Sequence, residues 1–247
     1  MSGHSKWATI KHKKGAADAK RGKMFSKLAK EIMIAAKSGG DPGMNPTLRT
    51  LLQKAKSINM PNDNIDRAVK KGTGELEGGA LDLMTYEGYV SGVGIVVNVL
   101  TDNKNRAAAD IGHIFSRHGT EFAKTGSVSR NFERKGQIII EKAAAEEEKL
   151  MEIVLEAGAD DMVADENGYE VLTQPNAYQG VATALEKANI AAVTSEIAYL
   201  PMATKAVGDL ATAQSVMKFV NALEDNDDVQ NVYHDADIPD EIMSQLE

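Results

Sequence analysis

Apolar residues between Gly15 and Lys37 return every three or four positions, the period of a helix with one buried face. With Phe25 at zero and about 100° per residue, Phe25, Leu28, Ala29, Ile32 and Ala36 fall within about 60° of one direction. Lys20, Lys23, Lys27, Lys30 and Lys37 lie on the other side, between roughly 120° and 220°. Arg21 lies nearer the apolar edge, where its stem can pack and its head reach water. Gly39-Gly40-Asp41-Pro42-Gly43 stops this helix. Asn45 then caps a second one with Pro46 in its first turn, and Leu48, Leu51, Leu52, Ala55 and Ile58 form its stripe. Pro61-Asn62-Asp63 opens a third, with Ile65, Ala68 and Val69 inward and Gly72 at its end. Three short amphipathic helices predict a small bundle over residues 1–78. Residues 1–14 read as an arm, too poor in apolar periodicity to fold alone.

Beyond Gly78-Gly79 the period changes. Residues 84–89, 94–101 and 127–132 read as strands, with a helix from Asn103 to about His118 burying Ala108, Ile111, Ile114 and Phe115. From Gln137 onward the order is strand, helix (about 146–157), two strands (160–165 and 168–173), helix (176–188) and strand (193–199). That is the β-α-β-β-α-β order of a ferredoxin-like unit. A last helix (209–224) and strand (228–234) are expected to return to the strands at 94–101 and 127–132. The layout predicted is multidomain α+β: an amino-terminal three-helix bundle plus two ferredoxin-like α+β domains, one inserted in the other. The boundaries expected are 1–78, a discontinuous domain of 79–133 and 201–247, and an inserted domain of 134–200.

Charge adds what periodicity does not. The chain of 247 residues has a net charge of −8. Residues 1–78 hold sixteen Lys or Arg against seven acids, or +9, while the remainder holds twelve against twenty-nine, or −17. Such segregation points to a polyanionic partner for the front and to a rear that stays clear of it. Phosphate contact needs cations on flexible stems along one face. Lys6, Lys11, Lys13, Lys14, Lys20, Lys23, Lys27 and Lys30 supply them, with Trp7 and His12 as secondary contacts able to stack on a base or enter a groove. The competing reading is a solvated lysine-rich helix face.

Other chemistries find less support. Cysteine is absent, which removes disulfides, thiol catalysis and Cys-based metal sites, and fits a reducing compartment. No apolar run approaches the roughly 18 residues of a membrane span, and no apolar segment follows the basic amino terminus, so the cytoplasm is expected. His4, His12, His113, His118 and His234 include no i, i+4 pair; His113 reads as a boundary residue on the inward side of its helix. The acids Glu224-Asp225-Asn226-Asp227-Asp228 suggest a helix-to-strand turn serving solubility or capping, and a metal-dependent nuclease is the enzymatic alternative. No complete nucleotide-binding glycine motif and no GxSxG occur, so neither an enzyme nor a cofactor is expected.

Several segments carry a resemblance. Gly3-His4-Ser5-Lys6-Trp7, Lys11-His12-Lys13-Lys14 and Asp18-Ala19-Lys20-Arg21-Gly22-Lys23 resemble the opening of the YebC family. So do Gly39-Gly40-Asp41-Pro42, Asn45-Pro46, Tyr86-Glu87-Gly88-Tyr89, Thr101-Asp102-Asn103-Lys104-Asn105-Arg106, Gly126-Ser127-Val128 and the stretch from Leu223 to His234. The resemblance implies three domains, the third inserted within the second. It also implies a DNA-binding transcriptional regulator, or a ribosome-associated translation factor binding ribosomal RNA, since relatives include the mitochondrial translational activator of cytochrome oxidase. A motif starting at residue 3 leaves no room for a mitochondrial presequence, which points to a bacterial cytoplasmic member. Departures lie in the middle domain: Val90-Ser91-Gly92-Val93 replaces a Gly-Pro-Gly-Gly turn, Ala107 and Gly112 stand where Thr and Arg are usual, and Gly119-Thr120 replaces Gly-Gly.

Overall fold

A computed structural model describes residues 21–77 and 79–246. Its first unit is three helices, α1 (Arg21–Ala36), α2 (Pro46–Ser57) and α3 (Asn62–Thr73). Leu28, Ile32, Leu48, Ala55, Ile65 and Ala68 meet in its core. Asn45 holds the turn between α1 and α2 from within. Its side-chain oxygen accepts from the Leu48 amide at 3.0 Å, and its Nδ2 donates to the carbonyls of Ala35 and Gly39, each at 2.8 Å. Pro46 follows at the first helical position, where its missing N–H costs nothing.

Gly72 does not end α3, as its spacing suggested. Gly74, with φ +84°, takes that left-handed position. Gly72 lies inside the helix, where a Cβ would come within 2.6 Å of Ala36 Cβ and closer still to the Met33 carbonyl oxygen. It lets α1 and α3 touch backbone to backbone.

The middle unit is a sheet in the order β1-β2-β8, formed by β1 (Asp82–Val90), β2 (Val93–Thr101) and β8 (Val229–His234). Both pairings are antiparallel. Two helices, α4 (Lys104–Arg117) and α7 (Leu210–Glu224), cover one face, where Ile95, Val97, Val99, Ile111, Phe115, Val216 and Phe219 are buried. Val96 points to the other face and packs with Val128, Phe132 and the rings of Tyr199 and Tyr233. The near-continuous apolar run of β2 thus reflects cover on both sides.

Between α4 and α7 lies the inserted unit: β3 (Phe132–Glu141), α5 (Glu147–Glu156), β4 (Asp161–Ala164), β5 (Gly168–Thr173), α6 (Tyr178–Lys187) and β6 (Thr194–Pro201). Its antiparallel sheet runs β4-β5-β3-β6, the ferredoxin-like order, with α5 and α6 on one face. The strand expected at 127–132 is absent. Ser129–Asn131 form a 3₁₀ turn, and the chain enters β3 at Phe132, a strand of the inserted sheet. The middle sheet therefore has three strands among the described residues, short of a ferredoxin-like set. A parallel pair, β7 (Lys205–Ala206) and β9 (Ala236–Asp237), and a short α8 (Asp240–Met243) complete the described chain. His113 is exposed and not at a buried boundary. Among the described residues no helix is long and apolar enough to cross a membrane.

Glu87 ties together two of the segments that carry the resemblance, 86–89 and 126–128. It projects from β1 beside Val96, its cross-strand partner, and is buried. Its carboxylate accepts from the amides of Gly126 (2.8 Å), Val128 (2.7 Å) and Ser129 (2.9 Å) and from the Ser129 hydroxyl (2.9 Å). Burial pushes its pKa up, but these four donors outweigh burial and hold it below the ordinary value. Replacing Glu87 by Gln is expected to cost about 2–3 kcal/mol at neutral pH, since an amide cannot satisfy every donor with charge. A group with a depressed folded pKa contributes stability above its unfolded value, about 4.3, and loses it as pH falls through the folded one. The gap between wild type and Glu87→Gln in urea unfolding should therefore close in acid; a gap independent of pH would refute the assignment.

Candidate nucleic-acid interface

The lysine stripe of α1 lies against another part of the molecule. Lys23, Lys27 and Lys30 project from one face of α1 onto the carboxyl end of α7 and the turn into β8. Lys23 Nζ donates to the Asp225 carbonyl at 2.7 Å and lies 3.7 Å from its carboxylate. Lys27 Nζ donates to the Glu224 carbonyl at 2.8 Å. Lys30 Nζ reaches the Asp227 carbonyl (2.9 Å), the Leu100 carbonyl (3.2 Å) and Asp228 Oδ1 (2.7 Å). The last carbonyls of a helix have no partners within it and carry the negative end of its dipole. Helix α7 has no basic residue in its own last turn. The front unit supplies that cap from about two hundred residues away.

Asp228 joins this clasp to the middle unit. Its Oδ2 accepts from the Thr101 hydroxyl and from Arg106 Nη2, both at 3.0 Å, and Arg106 also reaches Asp102 at 2.8 Å. The segments 101–106 and 223–234 thus converge on one buried carboxylate. Burial pushes its pKa up, yet the hydrogen bonds from Lys30 and Arg106 more than reverse that and hold it low. Further along the same junction, the Thr50 hydroxyl bonds Gln179 Oε1 at 2.8 Å and Gln53 Nε2 bonds Glu186 at 2.9 Å, tying α2 to α6. Glu31, beside the stripe, has its pKa raised by burial despite Lys54 nearby.

Another side of α1, about 110° round from the lysine stripe, forms a groove of about 390 Å³ with α3. Phe25, Ala29, Met33, Met60 and Ala68 line its floor; Ser26, Asn64, Arg67 and Lys71 line the rim. An apolar floor with exposed cations at the edge suits a base or sugar with its phosphate. Arg67 and Lys71 were missed by sequence reasoning. Their signal is an i, i+4 basic pair on α3 beside its apolar stripe, legible only once α3 is known to face α1. Of the residues expected to bind, Lys6, Trp7, Lys11, His12, Lys13, Lys14 and Lys20 lie outside the described residues. Lys23, Lys27 and Lys30 are brought together, on an internal acidic partner. Among the described residues no group of three or more His, Asp or Glu could hold a metal ion, and the acidic turn instead faces lysines.

Comparison with known proteins agrees along the chain. Residues 5–75 match the TACO1/YebC protein N-terminal domain, and residues 81–236 match the TACO1/YebC second and third domain. A relative in Syntrophobacter fumaroxidans is 50% identical over 248 residues, covering 100% of both chains. One in Acidobacterium capsulatum is 51% identical over 240 residues, covering 96% of this chain and 97% of its own. Both are named "probable transcriptional regulatory protein". The crystal structure of a conserved hypothetical protein from Aquifex aeolicus superposes with a TM-score of 0.81 at 43% identity, covering 90% of this chain and 93% of that one. A three-helix front, an inserted antiparallel unit and full-length likeness to these relatives lead to one statement: the chain belongs to the TACO1/YebC family.

Proposed function

We propose that this chain is a DNA-binding regulator of transcription that acts without catalysis in the cytoplasm. The observation that carries the reading is charge segregation, +9 in residues 1–78 against −17 beyond, in a chain whose full-length relatives are named as transcriptional regulators. The basic arm with Lys6, Lys11, Lys13 and Lys14, and then Lys20, Lys23, Lys27 and Lys30, contact phosphates, with Trp7 and His12 beside them. Arg67 and Lys71, on the groove between α1 and α3, add two further cations. The acidic units orient the front and meet protein partners.

About five phosphate contacts on duplex DNA predict a salt slope near −4.5, so affinity should fall about 10²–10³-fold between 50 and 200 mM salt. Replacing Lys6, Lys11, Lys13 and Lys14 by Gln should flatten the slope by about 3.6. Fluorescence anisotropy with duplex DNA and with ribosomal RNA measures both quantities. A slope near zero, or one unchanged in the variant, would remove the reading. Ribosomal RNA bound more tightly than DNA, with RNase-sensitive co-sedimentation with ribosomes, would replace it by a translation factor.

A further inference from the structure

We infer that the acidic turn at the end of α7 is an internal competitor for the lysine face of α1, so that binding a nucleic-acid backbone there requires the front unit to come away from the body. The inference rests on the proposed function and concerns how that surface becomes available. Lys23, Lys27 and Lys30 are spaced i, i+4, i+7 and all point at the same target: the carbonyls of Glu224, Asp225 and Asp227 and the carboxylate of Asp228. Carbonyl oxygens at the negative end of a helix, set among carboxylates, offer a lysine what a phosphate row offers: anionic oxygen acceptors at hydrogen-bond distance. One ammonium group cannot hold both fully. Each phosphate taken by the stripe releases a contact of the clasp.

The rest of the junction is built to part. Beside the lysine contacts, α2 meets α6 through side-chain hydrogen bonds, Thr50 with Gln179 and Gln53 with Glu186, which water can replace. The groove of Phe25, Arg67 and Lys71 lies on a different side of α1, away from the acidic turn, and needs no such opening. Contact therefore has two stages: the groove in the closed form, the stripe in the open one. The apparent dissociation constant is the intrinsic one divided by the open fraction, so a clasp closed about nine-tenths of the time weakens binding by the stripe about tenfold.

The test gives α7 its own cap. Lys placed in the last turn of a helix complements the dipole. Glu224→Lys/Asp225→Lys should therefore keep α7 folded while repelling Lys23 and Lys27. Glu146→Lys/Glu148→Lys, on the inserted unit, makes the same change in net charge away from the clasp. The natural chain lacks cysteine, so Ser57→Cys on α2 and Ser116→Cys on α4, both exposed, accept a donor–acceptor dye pair in each background. Energy transfer should change when a short duplex DNA is added to the otherwise natural chain. In Glu224→Lys/Asp225→Lys it should already have changed without DNA, and affinity should rise about tenfold beyond the control variant. Equal affinities in the two charge variants, or DNA binding with no change in transfer, overturns the inference and leaves the proposed function standing. Absence of DNA and RNA binding in every variant sinks the proposed function itself.

Discussion

Gly72→Val is expected to unfold the front three-helix unit while the rest of the chain stays folded. A Cβ at this position would sit 2.6 Å from Ala36 Cβ and closer still to the Met33 carbonyl oxygen. Met33 O is backbone of α1, so the clash cannot be relieved by turning a side chain; the two helices must separate. Separation uncovers Ile32, Ala36, Ile65 and Ala68, which are buried in the packed unit. Overpacking of this kind costs about 1–3 kcal/mol, and a branched residue against backbone lies at or above that upper end. A helical unit this small has little stability to lose. Limited proteolysis should cut within residues 21–77 at a far higher rate, and helical circular dichroism should fall by the share of three helices. Gly22→Ala serves as the contrast. Among the described residues nothing lies within 4 Å of a Cβ there, so the change should be neutral or stabilising by up to about 1 kcal/mol. Native-like protease resistance in Gly72→Val would show that α1 and α3 do not pack as described.

Asp228→Ala is expected to have the second-largest effect, about 2–4 kcal/mol. The carboxylate is buried and accepts from Lys30, Thr101 and Arg106, three groups from three segments. Its removal leaves the half-buried Lys30 ammonium with carbonyl partners alone and the Thr101 hydroxyl with only its longer bond, 3.2 Å, to the Asn103 carbonyl. Leaving a charge partner unmatched costs more than the pair itself contributes. Arg106 is solvated and keeps Asp102, so no part of the figure is assigned to it. The sign with pH follows from a depressed folded pKa. The contribution is complete above the unfolded Asp value, about 3.9, and disappears as pH falls through the lower folded value. Urea unfolding at neutral pH should separate wild type from Asp228→Ala, with the two converging in acid. A loss below about 0.5 kcal/mol at neutral pH would reduce the hub to an ordinary surface ion pair.

Much of the fold was legible in order along the chain. The apolar period of α1, the Asn45-Pro46 cap, the short apolar runs that mark the strands and the β-α-β-β-α-β sequence of the inserted unit all depend on neighbours a few residues apart. Local chemistry states such features directly. Two local readings failed for the same reason. Gly72 looked like a helix terminator because glycine often is one, and residues 127–132 looked like a strand from their local pattern. In each case a distant partner decided: α1 required Gly72 to be small, and the inserted sheet drew the chain in at Phe132.

The candidate surface divides along the same line. The sequence alone determined that the front of the chain is cationic, that Lys23, Lys27 and Lys30 share one face, and that residues 224–228 carry acids at the end of a helix. Only the tertiary structure decided that these two features meet, with Lys30 and Asp228 separated by 198 residues and joined at 2.7 Å. It likewise decided that Glu87 closes the 126–129 loop and that Arg67 and Lys71 rim a groove. Periodicity reports which way a side chain faces relative to its own helix. What lies opposite is set by the packing of whole units, and no pattern within one segment encodes it.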